Sequence, residues 1–324
     1  MRRLTILRRS FLGLVLALLA AAATAQPYPS RPVRLIIPFP PGGSNDIVGR
    51  MAAAQLGERL GQAVVVDNRT GAGGTIGTDV AAKALPDGYT LLLISTAHAF
   101  NAAMYKKLPY DPAGSFVPVA MLGTGPAALV VHPSLPVHSV QDLIALAKQK
   151  PGQLNWAAAG VGSFQHLASA LFRQQAGVDV VFVQYKGGGP AMMDLIAGHA
   201  DVSMGSLIQM LPHVRSGKLR ALGTTGTKRS AVLPDVPTIA EAGVPGYEAS
   251  NWWGIVAPAG TPPAIIERLH AELSVILTSA ETKRRFEAEG ADAVPMRPDE
   301  FGRFIQAETA KWARVVKEAG IRAE

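Results

Sequence analysis

The sequence predicts an α/β protein built as two lobes of similar plan. Strand and helix signals alternate as β-α-β-α-β over residues 33–95, and the alternation returns over residues 154–205. The composition is 48% apolar with only 6% aromatic residues, which suits Ala/Val/Leu-rich layers better than an aromatic β-sandwich. Such alternation implies parallel strands joined by right-handed crossovers. A chain of 324 residues can bury two cores.

Each element has its own local reason. "VRLIIPF" (33–39) is β-branched and apolar and reads as a strand. The glycine turn "FPPGGSND" (39–46) follows, with Ser44 as expected N-cap and Ile47, Val48, Met51, Leu56 and Leu60 as a helical stripe. "AVVVDN" (63–68) is a second strand, "RTGAGG" (69–74) a loop, Ile76 to Ala84 a helix, and "TLLLIS" (90–95) a third strand. In the second half, "LNWAAA" (154–159), "DVVFVQY" (179–185) and "ADVSMG" (200–205) are strands. "GVGS" (160–163) opens a helix over Phe164 to Gln175, and "KGGGP" (186–190) opens another over Ala191 to Ala197. Pro190 is expected at the first helical position. "VAMLGTGPAALVV" (119–131) and "LRALGTTG" (219–226) are the expected crossings between lobes, giving a hinged cleft. Two C-terminal helices carry apolar faces at Ile265, Ile266, Leu269, Leu273, Ile276 and Leu277 and at Phe301, Phe304, Ile305, Trp312, Val315 and Val316, with Gly320 as a stop.

The N-terminus reads as a signal peptide over residues 1–25. Arg2, Arg3, Arg8 and Arg9 form a basic region, and Ala23-Thr24-Ala25 a small-x-small cleavage site. The apolar run Phe11 to Ala23 is shorter than the roughly 20 residues of a spanning helix, which argues against an uncleaved anchor. "RRSFLG" leaves the Sec and twin-arginine routes both open. The expected location is the periplasm. The full chain carries 31 Lys+Arg against 24 Asp+Glu; without the four leader arginines the balance is 27 against 24. No basic cluster remains to bind nucleic acid. With no cysteine, disulfides, thiolate metal sites and thiol nucleophiles are excluded.

Several chemistries lack their residues. No glycine loop ends in Gly-Lys-Ser/Thr, as a Walker A loop must. "GAGGTIG" (71–77) resembles a dinucleotide fingerprint, but it follows the second strand of its unit and no acid ends the next strand, "LLLIS". "GVGSF" has the wrong spacing for a nucleophile elbow, and the seven histidines make no metal-ligand pattern. No catalytic residue, metal or cofactor is expected. What remains is a set of glycine turns at strand ends, at 42–46, 160–166 and 186–190, each freeing helix N–H groups for an anion. Asp46 places an acid in the first turn, where it would repel an anion or receive an ammonium or hydroxyl. The Ser163 turn has no acid, and Lys186, beside Gly187, adds a positive charge. A carboxylate is therefore expected mainly against the second lobe. One cation and one acid suit a mono- or dicarboxylate, with or without an amino, hydroxyl or aromatic part, better than a tricarboxylate.

Six stretches together resemble the Bug family, periplasmic solute receptors related to tripartite tricarboxylate transporters. They are "FPPGGSNDIVGR" (39–50), "VVVDNRTGAGGTIGTDVAAKALPDGYTLL" (64–92), "GVGSFQHLASALF" (160–172), "VQYKGGGPAMMDLIAGHADVSM" (183–204), "VPTIAEAGVPGYEASNWWGIVAPAGTP" (236–262) and "WARVVKEAGI" (312–321). The resemblance implies a type II periplasmic-binding-protein fold, two α/β lobes joined by two crossover segments with a ligand cleft between them. It implies a first lobe over 27–125 and 226–324 and a second over 126–225. A small carboxylate would be held largely by backbone amides and ordered water. Carried over, the ligand residues are Phe39, Pro41, Gly42, Gly43, Ser44 and Asp46, opposite Gly162, Ser163 and His166; Ser95, Thr96, His98, Gly205 and Ser206 complete the set. The implied partners are a small organic acid and the membrane permease subunits of a tripartite tricarboxylate-type transporter, with the receptor a monomer. A sensor for a signalling partner and an exported enzyme on the same scaffold are the alternatives.

Overall fold

The computed structural model describes residues 28–105 and 107–318. The expected leader (1–25) and the expected helix stop at Gly320 lie outside the described residues. In the first lobe, β1 (Val33–Ile37) pairs in parallel with β2 (Val64–Asn68) and β3 (Thr90–Ser95). Antiparallel strands extend this sheet: β9 (Ser250–Pro258) joins β3, β4 (Phe116–Val131) joins β9, and β10 (Asp292–Met296) joins β4. In the second lobe, β5 (Asn155–Ala158) lies parallel to β6 (Val181–Gln184) and β7 (Val202–Ser206). β4 and β8 (Arg220–Thr224) pair antiparallel at its edge, β4 also lying beside β7.

Strand β4 belongs to both sheets. Its first part, through Pro126, pairs with β9, and Ala127–Val131 pairs with β7 and β8. It is the expected first crossing, made as one continuous strand.

Each sheet is covered on both faces, as alternation along a strand requires. Val33, Leu35, Ile37, Leu91 and Leu93 point to one side of the first sheet, with α1 (Ser44–Leu60) and α8 (Pro263–Thr278). Ile36, Leu92 and Ile94 point to the other, with α3 (Thr96–Met104) and α10 (Pro298–Glu318). In the second lobe Ala127, Leu129 and Val131 face Trp156 and Phe172, while Ala128 and Val130 face Leu195, Met210 and Leu211. The helices there are α4 (Val140–Gln149), α5 (Phe164–Ala176), α6 (Gly188–Ile196) and α7 (Leu207–Arg215). Two short helices, α2 (Thr75–Ala82) and α9 (Ala280–Ala288), complete the described fold.

Three expectations need correction. The cap of α1 is Gly43, with Ser44 already the first helical residue. α6 begins at Gly188, so Pro190 is its third residue and not its first. The segment 219–226 does not return the chain to the first lobe. β8 stays in the second sheet, and Ile239, Ala242, Val244, Tyr247 and Ala249 pack into the second core. Tyr247 is buried there, its hydroxyl donating to the Ala168 carbonyl at 2.7 Å. First-lobe pairing resumes at Ser250, opposite Pro126.

Candidate functional site

Five strand-to-helix turns end at one place. β1 leads into α1, β3 into α3, β5 into α5, β6 into α6 and β7 into α7. The carboxyl ends of parallel strands are the usual binding edge of α/β sheets. Here the two lobes turn those edges toward each other. Between them lies an inner chamber of about 30 Å³. Its lining includes Gly43, Ser44 and Asn45 of the α1 turn, Ser95 and Ala97 at the start of α3, and Ser163, Phe164 and Gln165 at the start of α5. Gly188 of α6, Ser206 at the end of β7, Gln209 of α7, Phe39, Ala159 and Asn251 complete it.

No lining side chain carries a charge. The positive character comes from backbone. Each helix start presents unpaired N–H groups and the positive end of its dipole, favouring an anion by about 0.3–1 kcal/mol, and more when water is excluded. Side-chain amides add adjustable polarity. Gln165, Asn45 and Asn251 are buried, yet both amide atoms of Gln165 and the carbonyl oxygens of Asn45 and Asn251 have no protein partner. Buried polar groups of this kind normally find one.

The lobes touch on the chamber's flanks. Gly42 and Gly43 lie against Gly188 and Gly189, backbone on backbone. A Cβ added at Gly189 would stand 2.5 Å from the Pro41 carbonyl oxygen, so only glycine permits this approach. The other contact joins Gly73 to Val161, where a Cβ would again meet a carbonyl oxygen at 2.5 Å. Asn101 holds it, donating to the Gly73 carbonyl at 2.8 Å while packing against Gly162.

The comparisons agree with this architecture. Residues 48–321 match the family described as tripartite tricarboxylate transporter family receptor. The chain belongs to that family. Among its relatives, Protein BugT of Bordetella pertussis is 42% identical over 306 residues, covering 94% of each chain. The solved structure of R. palustris Rpa4515 with adipate is 39% identical, with a TM-score of 0.89 over 91% of this chain and 99% of that one. MatC (Rpa3494) from Rhodopseudomonas palustris with bound malate is 34% identical, with a TM-score of 0.85 over 89% of this chain and all of that one (100%). The fold is that of the two-lobed periplasmic solute-binding proteins, and the chain is a binding receptor, not an enzyme.

Within this receptor the residues expected from sequence divide. Phe39, Gly43, Ser44, Ser95, Ser163 and Ser206 line the inner chamber. Pro41, Gly42 and Gly187 belong to the contact between lobes, Gly187 packing on Pro40. Gly162 sits against Asn101, and Gly205 against Met210 and Gln165. Lys186 lines a second, outer chamber.

Four expected ligand residues do other work. Asp46 turns back into its own loop. Its carboxylate accepts from Gly42 N at 3.1 Å, Asn68 Nδ2 at 3.0 Å and Arg50 Nε at 2.9 Å. Burial alone would raise its pKa; the bonds from Arg50, Asn68 and Gly42 outweigh it and hold the carboxyl below its ordinary value. Thr96 staples the hinge, its hydroxyl accepting from Trp252 N at 3.2 Å. His98 stacks on Tyr110 in the first core and its Nε2 meets the Pro112 carbonyl at 3.1 Å. Burial pushes its pKa down. His166 packs edge-on against Phe182. Burial and then the charge of Arg173 push its pKa down to about 4, so it is neutral near pH 7.

Sequence reasoning missed Asn45, Ala97, Ala159, Phe164, Gln165, Gly188, Gln209 and Asn251. Three of these share a signal. Asn45 and Gln165 are second residues of their helices and Gln209 is the third of its own, each in the first turn of a helix that follows a strand directly or through a short glycine or serine turn. A side-chain amide at that position points toward whatever the helix start faces.

Proposed function

We propose that this receptor captures the carboxylate of a small organic acid in the inner chamber and delivers it to the permease subunits of a tripartite tricarboxylate-type transporter. The observation that carries the reading is the convergence of five helix N-termini on a chamber without a charged side chain. Its volume of about 30 Å³ matches roughly two water-sized groups, the two oxygens of one carboxylate. Relatives solved with adipate and malate support the same ligand class.

In this reading residues 1–25 export the chain to the periplasm. No helix of the described residues is long and apolar enough to cross a membrane. The first lobe comprises 28–125 with 250–318 and the second 126–249, a return point moved from 226 because 239–249 pack into the second core. Ligand contacts from both lobes favour the shut form, and β4 with the start of β9 forms the hinge.

A thermal-shift panel on the purified mature receptor tests this. Short organic acids raise the melting temperature, and their neutral amides do not. Equal stabilisation by an acid and its amide would overturn the anion reading.

A further inference from the structure

A third cavity lies away from the cleft, wholly within the first lobe. It has a volume of about 420 Å³ and opens between α10 and the start of β4. Ile94 of β3, Phe116 and Pro118 of β4, Val256 of β9 and Ile305 of α10 give it an apolar wall. Ala113, Gln306, Ala310 and Ala313 stand on its exposed side, so the space is open to solvent. No residue lines both this cavity and the inner chamber. Small-molecule sites commonly measure roughly 300–1,000 Å³, with mostly apolar walls and a few polar groups that set specificity.

His98 of α3 is the one buried polar residue of the wall, at 7% exposure. Its Nε2 meets the Pro112 carbonyl at 3.1 Å. A carbonyl only accepts, so Nε2 carries the proton and Nδ1 keeps a bare lone pair. That Nδ1 is buried and has no protein partner. Buried acceptors normally have one. Phe116 meets the His98 ring edge-on, with 5.8 Å between centroids. The unmatched acceptor and an aromatic surface therefore belong to the same wall.

The rest of the lining narrows the occupant. No charged residue lines the cavity among the described residues, so a carboxylate would enter without a counter-charge. The Thr309 hydroxyl is committed to the Ile305 carbonyl, to which it donates at 2.8 Å, and has no proton to offer Nδ1. A buried water needs about 2–4 polar partners, which an apolar wall does not supply. The missing donor has to arrive on a molecule that is otherwise apolar.

We propose that this cavity binds a small neutral ring compound carrying one hydroxyl, a phenol or a cyclic alcohol. The ring packs against Phe116, Val256 and Ile305, and the hydroxyl donates to His98 Nδ1. The site is complete within one lobe. It needs neither closure nor the carboxylate reading of the cleft.

The test is an amide NMR titration of the purified mature receptor with phenol, cyclohexanol and anisole, on wild type, Ala310→Phe and His98→Phe. Phenol and cyclohexanol should shift the wild-type amides of α3, α10 and residues 112–118 and leave those of the inner chamber in place. Anisole keeps the ring and oxygen of phenol but has no O–H, and should bind wild type about fivefold more weakly than phenol. Ala310→Phe brings a ring into the cavity from an exposed helix position. It should keep the wild-type melting temperature and weaken phenol about tenfold or more. His98→Phe keeps a ring and removes the acceptor, and should bring phenol down to the level of anisole. No shift with either hydroxyl compound would overturn the proposal, as would shifts confined to the inner chamber or anisole binding as tightly as phenol. A second copy of the chain seated in the cavity mouth would appear as a dimer in light scattering that Ala310→Phe dissociates, and that result would overturn it too.

Discussion

The α1 and α5 turns both line the inner chamber, one from each lobe, and they are stabilised by different means. α1 starts at Gly43 with no side-chain cap, and its loop is braced from behind by Asp46, which bonds Gly42, Asn68 and Arg50. α5 starts at Ser163, whose hydroxyl accepts from His166 N at 3.2 Å, and has no acid in its first turn. The bare turn thus leaves more N–H groups for a ligand than the capped one. This removes one ground for expecting the carboxylate mainly against the second lobe, the repulsion by Asp46. That part of the expectation assumed the Asp46 charge faced the ligand, whereas Arg50 pairs with it outside the chamber.

The largest break in this comparison is Asp46→Leu. It strands the Gly42 N–H, leaves Asn68 Nδ2 with only its bond to the Phe39 carbonyl, and should cost about 2–3 kcal/mol of stability, read by urea unfolding, with ligand binding lost as the α1 turn loosens. Asp46→Asn is the milder form and has a pH signature. A carboxyl held below its ordinary pKa stabilises fully above the unfolded value, about 4, and that contribution is lost as pH falls through the lower folded value. Wild type should lose more stability than Asp46→Asn on acidification below about pH 4. Parallel acid limbs for the two proteins would contradict the brace.

Next in size is Gly189→Ala, which separates closure from turn structure. Its methyl group meets Pro41 only where the lobes touch, so affinity should fall about tenfold or more while the ligand-free melting temperature stays near wild type. The smallest effects come from exchanging the caps. Ser163→Ala should cost about 1 kcal/mol of stability. Gly43→Ser should gain a few tenths of a kcal/mol, since Gly43 already has the extended conformation a cap requires, with φ −85° and ψ 167°. It should also weaken the ligand, because the new hydroxyl occupies an N–H. Tighter binding by Gly43→Ser would mean that the α1 amides are not the ligand's partners.

The parallel strands were legible because "VRLII", "VVVDN" and "TLLLIS" are apolar runs bounded by turn residues. β9 and α3 were not read. "NWWGIVAP" is buried along almost its whole length and shows no alternation, and "TAHAFNAAM" is buried around most of its circumference and shows no stripe. Periodicity marks elements with one wet face, and both elements lack one. The site was half legible for a related reason. Glycine and serine turns announce themselves, so Gly43, Ser44, Ser163 and Ser206, which line the inner chamber, could be named from sequence. Histidines draw attention by their chemistry, yet His98 and His166 are packed neutral in cores. The amides of Asn45, Gln165, Gln209 and Asn251 carry no charge and, apart from the first-turn position of the first three, share no pattern, and their convergence exists only after folding.

A chamber lined without an ionisable side chain has a consequence for the cell's surroundings. Between the pKa of the ligand's carboxyl groups and neutrality, nothing in the inner lining changes its protonation. On the proposed function, capture of a carboxylate then follows the acid's own ionisation, and the inner lining adds no pH optimum of its own. In a compartment that exchanges protons with the medium, backbone dipoles give a grip that mild acidification does not loosen.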